Sequence, residues 1–255
     1  MKYNVAIMRQ PANNCMDGLT SVDLGIPDVS LLKSQWERYH EVLSQLTNEV
    51  IVLDALDGFP DAYFVEDVAV VTPEIAILTN PGASARTGET EYMDETLRTF
   101  RDCRKIRAPG TLDGGDVLVV GKHCIVGLSE RTNRLGAEQL CAILGEYGYR
   151  GDIVNVSEAL HFKSSVNFVD EETLLVTEAC KGLSCLSSYG QLVVPTDENY
   201  AAKVVWFNDS VLIPQGFPKV EKILLEHGSQ VIPMPVSEIA KMDGGLTCLS
   251  LRLTK

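Results

Sequence analysis

Cys248 and His161 are two residues whose side chains could together carry out nucleophilic chemistry. Cys248 follows the pair Gly244-Gly245, and glycines allow a backbone to turn sharply or to approach a ligand closely. A cysteine and a histidine brought together in an intracellular chain form a common nucleophile–base pair. Either residue alone would more often be structural, since a lone cysteine usually behaves as a small buried hydrophobe. Together they give the hypothesis that Cys248 is a nucleophile and His161 its acid/base partner.

Acidic residues precede short apolar runs at several points of the chain, and His161 precedes another such run. The acidic positions are Glu66, Asp67, Asp113, Asp116 and Asp243. Carboxylates bind planar cations through paired hydrogen bonds, and guanidinium is the planar cation of biology. A thiolate can attack the guanidinium carbon if hydrogen bonds localise its charge and a general acid protonates the leaving amine. The pattern therefore indicates a covalent thiouronium that water hydrolyses, with His161 acting first as acid and then as base.

Metal and nucleotide sites are the rival uses of such residues. The four histidines, at positions 40, 123, 161 and 227, form no H-x-x-x-H pair, and the cysteines form no C-x-x-C pair. These spacings disfavour a structural zinc site. The glycine-rich segments match neither the dinucleotide-binding motif nor the P-loop. We therefore expect no metal and no organic cofactor.

The composition indicates a soluble protein of one domain, residues 1–255. A chain of 255 residues, of which 45% are hydrophobic, can bury a large core. Its net charge of −13 disfavours binding to nucleic acid. It has no run of 18 apolar residues, so we expect no membrane segment, and its seven cysteines lack a pattern of close pairs, which favours free thiols and a cytoplasmic location. The expected partner is a small guanidino compound, and a homodimer is left open.

The elements that must position these residues form a repeat. Pairs of β-branched or aromatic runs are separated by turn residues, which is typical of strand–turn–strand units. Helical patterns follow several pairs and are expected at 30–46, 89–100, 132–147 and 218–228. The predicted strand pairs are 68–71 with 75–78, 117–120 with 124–126, 166–169 with 174–176, and 204–207 with 211–213.

The spacing of these pairs predicts a ring of repeated units. They begin at residues 68, 117, 166 and 204, so they are 49, 49 and 38 residues apart, a period typical of propellers. A fifth unit can be assembled from the apolar runs 5–8 and 246–253, which would join the two chain ends and leave no free sheet edge. The alternative is an ordinary α+β sheet protein with coincidental spacing. In a ring, the polar residues before the first strands would meet near the axis.

Six motifs of the chain together resemble the dimethylarginine dimethylaminohydrolase family, in the order in which that family has them. They are FPDAYFVED at 59–67, NPGASAR at 80–86, TLDGGDVL at 111–118, LSERTN at 128–133, LHFKS at 160–164 and DGGLTC at 243–248. The resemblance implies an α/β fold, a five-bladed α/β propeller (pentein) with pseudo-fivefold repeats. It also implies hydrolysis of N-omega-methylated arginine, asymmetric dimethylarginine or monomethylarginine, to citrulline and an amine, without a metal or cofactor.

The resemblance also implies roles for individual residues. Cys248 would be the nucleophile, His161 the acid/base and Asp113 the carboxylate that orients the histidine. The substrate-binding set would consist of Asp61, Glu66 and Asp67 at the guanidino group, Arg86 and Arg131 at the α-carboxylate, the carbonyl of Met242 at the amino group, and Leu19 in a lid at residues 10–28. Met16 is the alternative lid residue. Three other functions stay open: arginine deiminase, amidinotransferase, and a guanidino binder without turnover.

Overall fold

The computed structural model describes residues 2–155 and 160–255, and in them fifteen strands form five three-stranded sheets. The sheets have the orders β3-β4-β5, β6-β7-β8, β9-β10-β11, β12-β13-β14 and β15-β1-β2. The strands are β1 (Val5–Arg9), β2 (Glu49–Leu53), β3 (Ala69–Val71), β4 (Ala76–Leu78), β5 (Cys103–Lys105), β6 (Val117–Val120), β7 (His123–Leu128), β8 (Arg150–Asn155), β9 (Val166–Phe168), β10 (Thr173–Val176), β11 (Gly190–Val193), β12 (Val205–Phe207), β13 (Ser210–Pro214), β14 (Gln230–Met234) and β15 (Leu251–Leu253).

Each sheet repeats one topology. Its first two strands are antiparallel, and its third strand runs parallel to the middle one, as in the sheet β6-β7-β8. The fifth sheet takes strands from both ends of the chain, with Val5 opposite Leu253 and Val5 also beside Glu49. The predicted five-bladed α/β propeller is therefore confirmed, together with the assembly of its fifth unit from the two chain ends.

Helices connect the parallel strands within four of the five blades. The described α-helices are α1 (Val29–Leu46), α2 (Glu91–Arg98), α3 (Arg134–Gly145), α4 (Pro218–His227) and α5 (Ser237–Ala240). The first four confirm the predicted helices to within two residues at each end. Asp28 caps α1 by accepting hydrogen bonds from the backbone N–H groups of Ser30 and Leu31, which would otherwise lack partners. The inner face of α1 buries Leu32, Tyr39 and Leu43, and fully burying such a side chain contributes roughly 1.5–3 kcal/mol.

A short 3-10 turn precedes the first strand of each blade, and neighbouring turns contact one another around the axis. The five turns are Val65–Val68, Gly114–Asp116, Phe162–Ser164, Thr196–Ala202 and Thr247–Leu249. The apolar run 246–253, expected to supply a strand that includes Cys248, forms a strand only at Leu251–Leu253, so that expectation is wrong for Cys248, which lies in the preceding turn. The turns bring the chemically active residues of different blades to one end of the ring.

No helix within the described ranges, 2–155 and 160–255, has the length and apolar character that a membrane-crossing helix requires.

Candidate active site

His161 lies between two buried carboxylates that belong to other blades. Its Nε2 is 3.1 Å from Asp113 Oδ2 and 3.9 Å from Asp67 Oδ1. All three residues are buried, and Asp113 is inaccessible to solvent. Asp113 Oδ1 also accepts a hydrogen bond from the backbone N–H of Gly82, which fixes its orientation. The structure thus brings together three of the residues predicted for the site.

The Gly114-Gly115 pair permits this close approach. A Cβ atom on Gly115 would lie 2.7 Å from His161 Nδ1 and 2.8 Å from Asp67 Oδ1, and a Cβ on Gly114 would lie 2.0 Å from the carbonyl oxygen of Glu66. Side chains at these positions would therefore collide with the histidine, the carboxylate and the neighbouring turn. The backbone N–H of Gly115 donates to Asp67 Oδ1 at 3.0 Å. The site geometry thus requires glycine at positions 114 and 115.

The charges around His161 favour its protonated form. Burial on its own lowers the pKa of His161, but Asp67, the hydrogen bond to Asp113 and the charge of Asp116 together raise the pKa to about 9. Burial opposes ionisation of Asp67, yet His161, Arg86 and Gly115 lower the pKa of that carboxyl overall. At neutral pH the site therefore contains an imidazolium, which can act as a general acid.

Cys248 is a partly buried thiol on which the charges of Glu66 and Asp67 act. Burial and the negative charges of Glu66 and Asp67 raise the pKa of Cys248 to about 11, against an opposing effect of Lys203 and a backbone hydrogen bond at Gly245. A thiol with this pKa is neutral at neutral pH in the free protein. A cation that binds beside it would favour the thiolate, which is the nucleophilic form.

Arg86 is held by acidic residues inside the protein. Its Nη1 donates to Asp67 Oδ2 at 2.5 Å, and its Nε and Nη2 donate to the two oxygens of Glu89 at 2.7 and 2.6 Å. Its Nη2 also donates to the carbonyl oxygens of Asp61 and Phe64. The guanidinium therefore orients Asp67, and its contact with a ligand carboxylate stays a prediction.

Arg131 differs from Arg86 because its guanidinium makes no hydrogen bond among the described residues. Its Nη1 lies 3.9 Å from Asp113 Oδ2, which is beyond hydrogen-bonding distance, and its side chain is 17% exposed. The Arg131 backbone is fixed by Ser129, whose hydroxyl oxygen accepts the N–H of Arg131 at 3.0 Å. A fixed backbone and a free guanidinium at the edge of the site suit the binding of an anionic group.

The segment at residues 10–28, predicted to form a lid, is fastened to Asp61 and Asp243. The backbone N–H of Leu19 donates to both oxygens of Asp61, at 3.2 and 3.0 Å. The carboxylate of Asp243 accepts hydrogen bonds from the backbone N–H and the hydroxyl of Ser21. The buried Met242 side chain reaches Gly18, since a Cβ there would lie 3.2 Å from Met242 Cε. Leu19 and Met16 are 38% and 42% exposed, so exposure does not separate the two candidate lid residues.

Glu66 faces away from this cluster, toward a cavity on the propeller axis. The cavity has a volume of about 460 Å³ and is lined by strands of all five blades. Glu66 Oε1 accepts hydrogen bonds from Lys163 Nζ at 2.8 Å and from Arg252 Nη2 at 3.1 Å. Its other oxygen, Oε2, is buried without a partner among the described residues. The expected contact of Glu66 with a guanidino group stays a prediction, and its charge acts on Cys248 from the axial side.

A metal ion is one further use of the central cluster. One oxygen each of Asp67 and Asp113 and one nitrogen of His161 lie within 4.8 Å of one another. The side chains of these residues already make hydrogen bonds to Arg86, Gly82, Gly115 or each other, and the guanidinium groups of Arg86 and Arg131 lie beside them. Two nearby guanidinium groups oppose the binding of a second cation. The expectation that no metal takes part stays a prediction.

Several residues of the site were not foreseen in the sequence. Glu89 pairs with Arg86, and Lys203 binds the backbone before Cys248; Asp243 was foreseen as an acidic position, but its hydrogen bond to Ser21 was not. The i,i+3 spacing of Arg86 and Glu89 is the one sequence signal that could have indicated such a pair. The other two contacts join segments far apart in the chain, and no local pattern predicts them.

Comparison with known proteins places the chain among enzymes that act on guanidino groups. The family described as arginine deiminase matches residues 30–183. A dimethylarginine dimethylaminohydrolase from Pseudomonas aeruginosa is 37% identical, over 96% of this chain and 98% of that protein. One from Streptomyces coelicolor is 35% identical, over 99% of this chain and 98% of that protein.

Solved structures with the same name superpose closely. The Pseudomonas aeruginosa enzyme, as a cysteine-to-serine mutant complexed with citrulline, has a TM-score of 0.97 at 36% identity, covering 99% of this chain and all of that one. A histidine-to-glycine dimethylarginine dimethylaminohydrolase adduct with S-methyl-L-thiocitrulline has a TM-score of 0.96 at 36% identity, covering 98% of this chain and all of that one.

Proposed function

The chain belongs to the dimethylarginine dimethylaminohydrolase family, and we propose that it hydrolyses asymmetric dimethylarginine or monomethylarginine to citrulline and dimethylamine or methylamine. The observation that carries the proposal is the placement of His161 between Asp67 and Asp113, with the Cys248 thiol under the influence of the same Asp67. The carboxylates can bind the guanidinium, the imidazolium can protonate the leaving amine, and the Cys248 sulfur can attack the guanidino carbon.

The first half of the reaction forms a covalent intermediate. The cationic substrate favours loss of the Cys248 proton to solvent, and the thiolate then forms a C–S bond to the guanidino carbon. As the tetrahedral adduct collapses, the bond to the methylated nitrogen breaks. The His161 imidazolium gives its proton to the departing amine, which leaves a thiouronium on Cys248 and a neutral imidazole. Asp67 keeps positive charge localised at the carbon under attack.

The second half returns the enzyme to its starting state. Neutral His161 takes a proton from water as the water oxygen bonds to the thiouronium carbon. As the C–S bond breaks, the hydroxyl proton of the adduct passes to the departing Cys248 sulfur, which restores the neutral thiol, and citrulline is released. The segment at 10–28, whose hydrogen bonds to Asp61 and Asp243 support a role as a lid, limits access of bulk water to the bound substrate.

The two ends of the substrate meet opposite charges. Asp67 and Asp61 face the guanidino end, and Arg131 binds the α-carboxylate through its free donor face, assisted by the second N–H of Arg86 Nη1. The Met242 carbonyl accepts from the amino group, and Leu19 covers the bound molecule. The support for this arrangement is that Arg131 lies 3.9 Å from the same Asp113 oxygen that binds His161, so a cationic side chain stands next to the acidic cluster.

Replacing Asp113 by asparagine should move the alkaline limb of the pH–kcat profile to lower pH. His161 stays protonated up to about pH 9 partly because Asp113 accepts its N–H. Losing that negative charge lowers the pKa of His161 by on the order of 1 unit, so the general acid is lost earlier as pH rises. Steady-state citrulline assays between pH 6 and about 10 measure the limb. The matched control is Asp209→Asn, at an exposed ion pair with Lys2. An alkaline limb unchanged by Asp113→Asn contradicts the role of Asp113.

Replacing Arg131 by lysine should raise KM for dimethylarginine on the order of tenfold with a smaller effect on kcat, because lysine cannot reproduce a bidentate contact with a carboxylate. Methylguanidine, which lacks the carboxylate, should be a poor substrate that is insensitive to the change. Steady-state kinetics with both compounds provide the measurement, and Arg134→Lys on the exposed face of α3 is the control. Equal sensitivity of the two compounds to Arg131→Lys would refute the carboxylate assignment.

A substrate panel tests the proposed function as a whole. Arginine, monomethylarginine, symmetric dimethylarginine and asymmetric dimethylarginine are incubated with the enzyme, and citrulline and the released amine are quantified. We expect the asymmetric and monomethylated compounds to react fastest, each giving citrulline and amine in equal amounts. Faster reaction of arginine with ammonia release would indicate a deiminase instead. Loss of citrulline in favour of a new guanidino product on addition of acceptor amines would indicate an amidinotransferase, and binding without product a guanidino binder.

We also propose that residues 1–255 act as one domain, and that the protein works in the cytoplasm. The five sheets share one axial cavity, which supports a single unit. All seven cysteines are free thiols, which is typical of a reducing compartment. Dimer formation stays a proposal that ultracentrifugation can test.

A further inference from the structure

Lys203 directs a sheltered ammonium group at the backbone that precedes Cys248. It follows the 3-10 turn Thr196–Ala202, and its Nζ donates to the carbonyl oxygens of Asp243 and Gly244 at 2.8 and 3.4 Å. In the part of the chain that the structure describes, this ammonium makes no ion pair with a carboxylate, and Asp243 acts on it through its charge alone. Sheltering an ammonium that makes no direct ion pair is costly, so the position calls for a reason.

The contacts of Lys203 continue directly to the nucleophile. Its side chain packs on Gly245, where a Cβ would lie 2.7 Å from Lys203 Cδ. The carbonyl oxygen of Gly245 accepts the backbone N–H of Cys248 at 3.3 Å. Tyr200 supports the same turn, since its hydroxyl donates to the Gly244 carbonyl at 2.9 Å and its ring lies 4.8 Å from Lys203 Nζ. Lys203 therefore fixes the turn from which the Cys248 helix begins.

The charge of Lys203 opposes the other charges that act on the thiol. Burial, Glu66 and Asp67 raise the pKa of Cys248, whereas Lys203 lowers it. The phenols of Tyr63 and Tyr200 also face the thiol, and neither carries a charge at neutral pH. Burial lowers the pKa of Lys203 itself, while Cys248 and Asp243 raise it. Among the groups with the largest effects on the pKa of Cys248, Lys203 is the cation. It precedes β12 of the fourth blade, which contributes no other group to the proposed chemistry.

We propose that Lys203 is a positioning residue for the nucleophile: it holds the turn at 243–245 and places a fixed positive charge that makes ionisation of the Cys248 thiol easier. This inference rests on the assignment of Cys248 as the nucleophile, and adds a fixed cation to the transient one that a guanidinium substrate supplies. Without Lys203 the thiol would face two carboxylates and depend entirely on the substrate for its ionisation.

Alkylation of Cys248 in the full-length protein separates the two parts of this proposal. Iodoacetamide is the probe, and mass spectrometry of the Cys248 peptide gives the alkylation rate at each pH without any need for turnover. Lys203→Gln keeps an N–H donor for the carbonyl oxygens but removes the charge, Lys203→Arg keeps the charge, and Lys203→Met removes both. The matched control is Lys222→Met, at an exposed lysine on α4. Circular dichroism establishes which variants fold.

We expect Lys203→Gln to raise the pH midpoint of Cys248 alkylation by on the order of 1 unit, and Lys203→Arg to restore the wild-type midpoint. Lys203→Met should show the same rise and a lower thermal stability. If Lys203→Met does not fold, the pH midpoint of Cys248 alkylation in Lys203→Gln still tests the proposal. A Gln variant with the wild-type midpoint overturns the proposal and leaves Lys203 a structural residue. Because alkylation does not report citrulline, this result is independent of whether dimethylarginine is the substrate.

Discussion

The Cys248→Ser protein should fold normally and should produce citrulline at a rate reduced on the order of a thousandfold or more. The reason is the ionisation of the attacking group. A serine hydroxyl is far less acidic than a thiol, so even a bound cation does not yield a useful alkoxide at neutral pH. The loss should fall on kcat, since Cys248 does not bind either charged end of the substrate. Thermal denaturation and substrate binding measured by calorimetry should stay close to the wild type.

The chain offers a matched control among its other cysteines. Cys185 is also partly buried, and lies in the turn Ser184–Leu186 of the third blade. Cys185→Ser should retain wild-type kcat, which excludes a general effect of losing a thiol. A haloacetamidine, which carries the planar cation of the substrate, should label Cys248 in preference to the other six cysteines. Retention of most activity by Cys248→Ser would remove the thiol from the mechanism.

Replacing His161 by alanine should reduce kcat on the order of a hundredfold or more, as for general acid–base groups in other enzymes. The change removes the proton donor for the departing amine and the base for the attacking water, so both halves of the reaction slow. Loss of the acid should depend on the amine, because a better leaving group needs less help. The His161→Ala change should therefore slow the first step less with S-methylthiocitrulline, whose leaving group is a thiolate, than with dimethylarginine.

His227 provides the comparison for this variant. It is a partly exposed residue at the end of α4, with its Nε2 2.7 Å from Asp170 Oδ2, and is therefore also a histidine paired with an aspartate. His227→Ala should leave kcat and its pH dependence unchanged. If His161→Ala turns over dimethylarginine at a near-normal rate, the acid/base function belongs to another residue.

The first two strands of the blades could be predicted from apolar runs separated by turn residues. The third strands, at the outer rim of the propeller, could not. Each predicted pair became the inner two strands of a blade, because these strands are buried and rich in β-branched residues. The third strands were missed. β5, with the sequence Cys-Arg-Lys, is largely exposed and gains its pairing from β4, so its own residues carry little hydrophobic signal.

In the site too, features that depend on neighbouring residues in the sequence could be predicted, and contacts between distant segments could not. The glycines beside Asp113 and before Cys248 indicate close backbone approach, and the structure places them against His161 and Lys203. Residue types alone could not tell that Arg86 is enclosed by Asp67 and Glu89 or that Glu66 pairs with Lys163 and Arg252. Those pairings depend on which blades meet at the axis, and a guanidinium predicted to bind a ligand can equally bind the protein's own carboxylates.

The most direct test of the account is the chemical state of Cys248 during turnover. Wild-type protein and His161→Gly are mixed with asymmetric dimethylarginine, quenched in acid at successive times, and the Cys248 peptide is analysed by mass spectrometry. The account predicts an adduct with the mass of the substrate less dimethylamine on Cys248, which decays in the wild type as citrulline forms and persists longer in His161→Gly. Citrulline formation while the Cys248 peptide stays unmodified at every time in both proteins would contradict covalent catalysis by this residue.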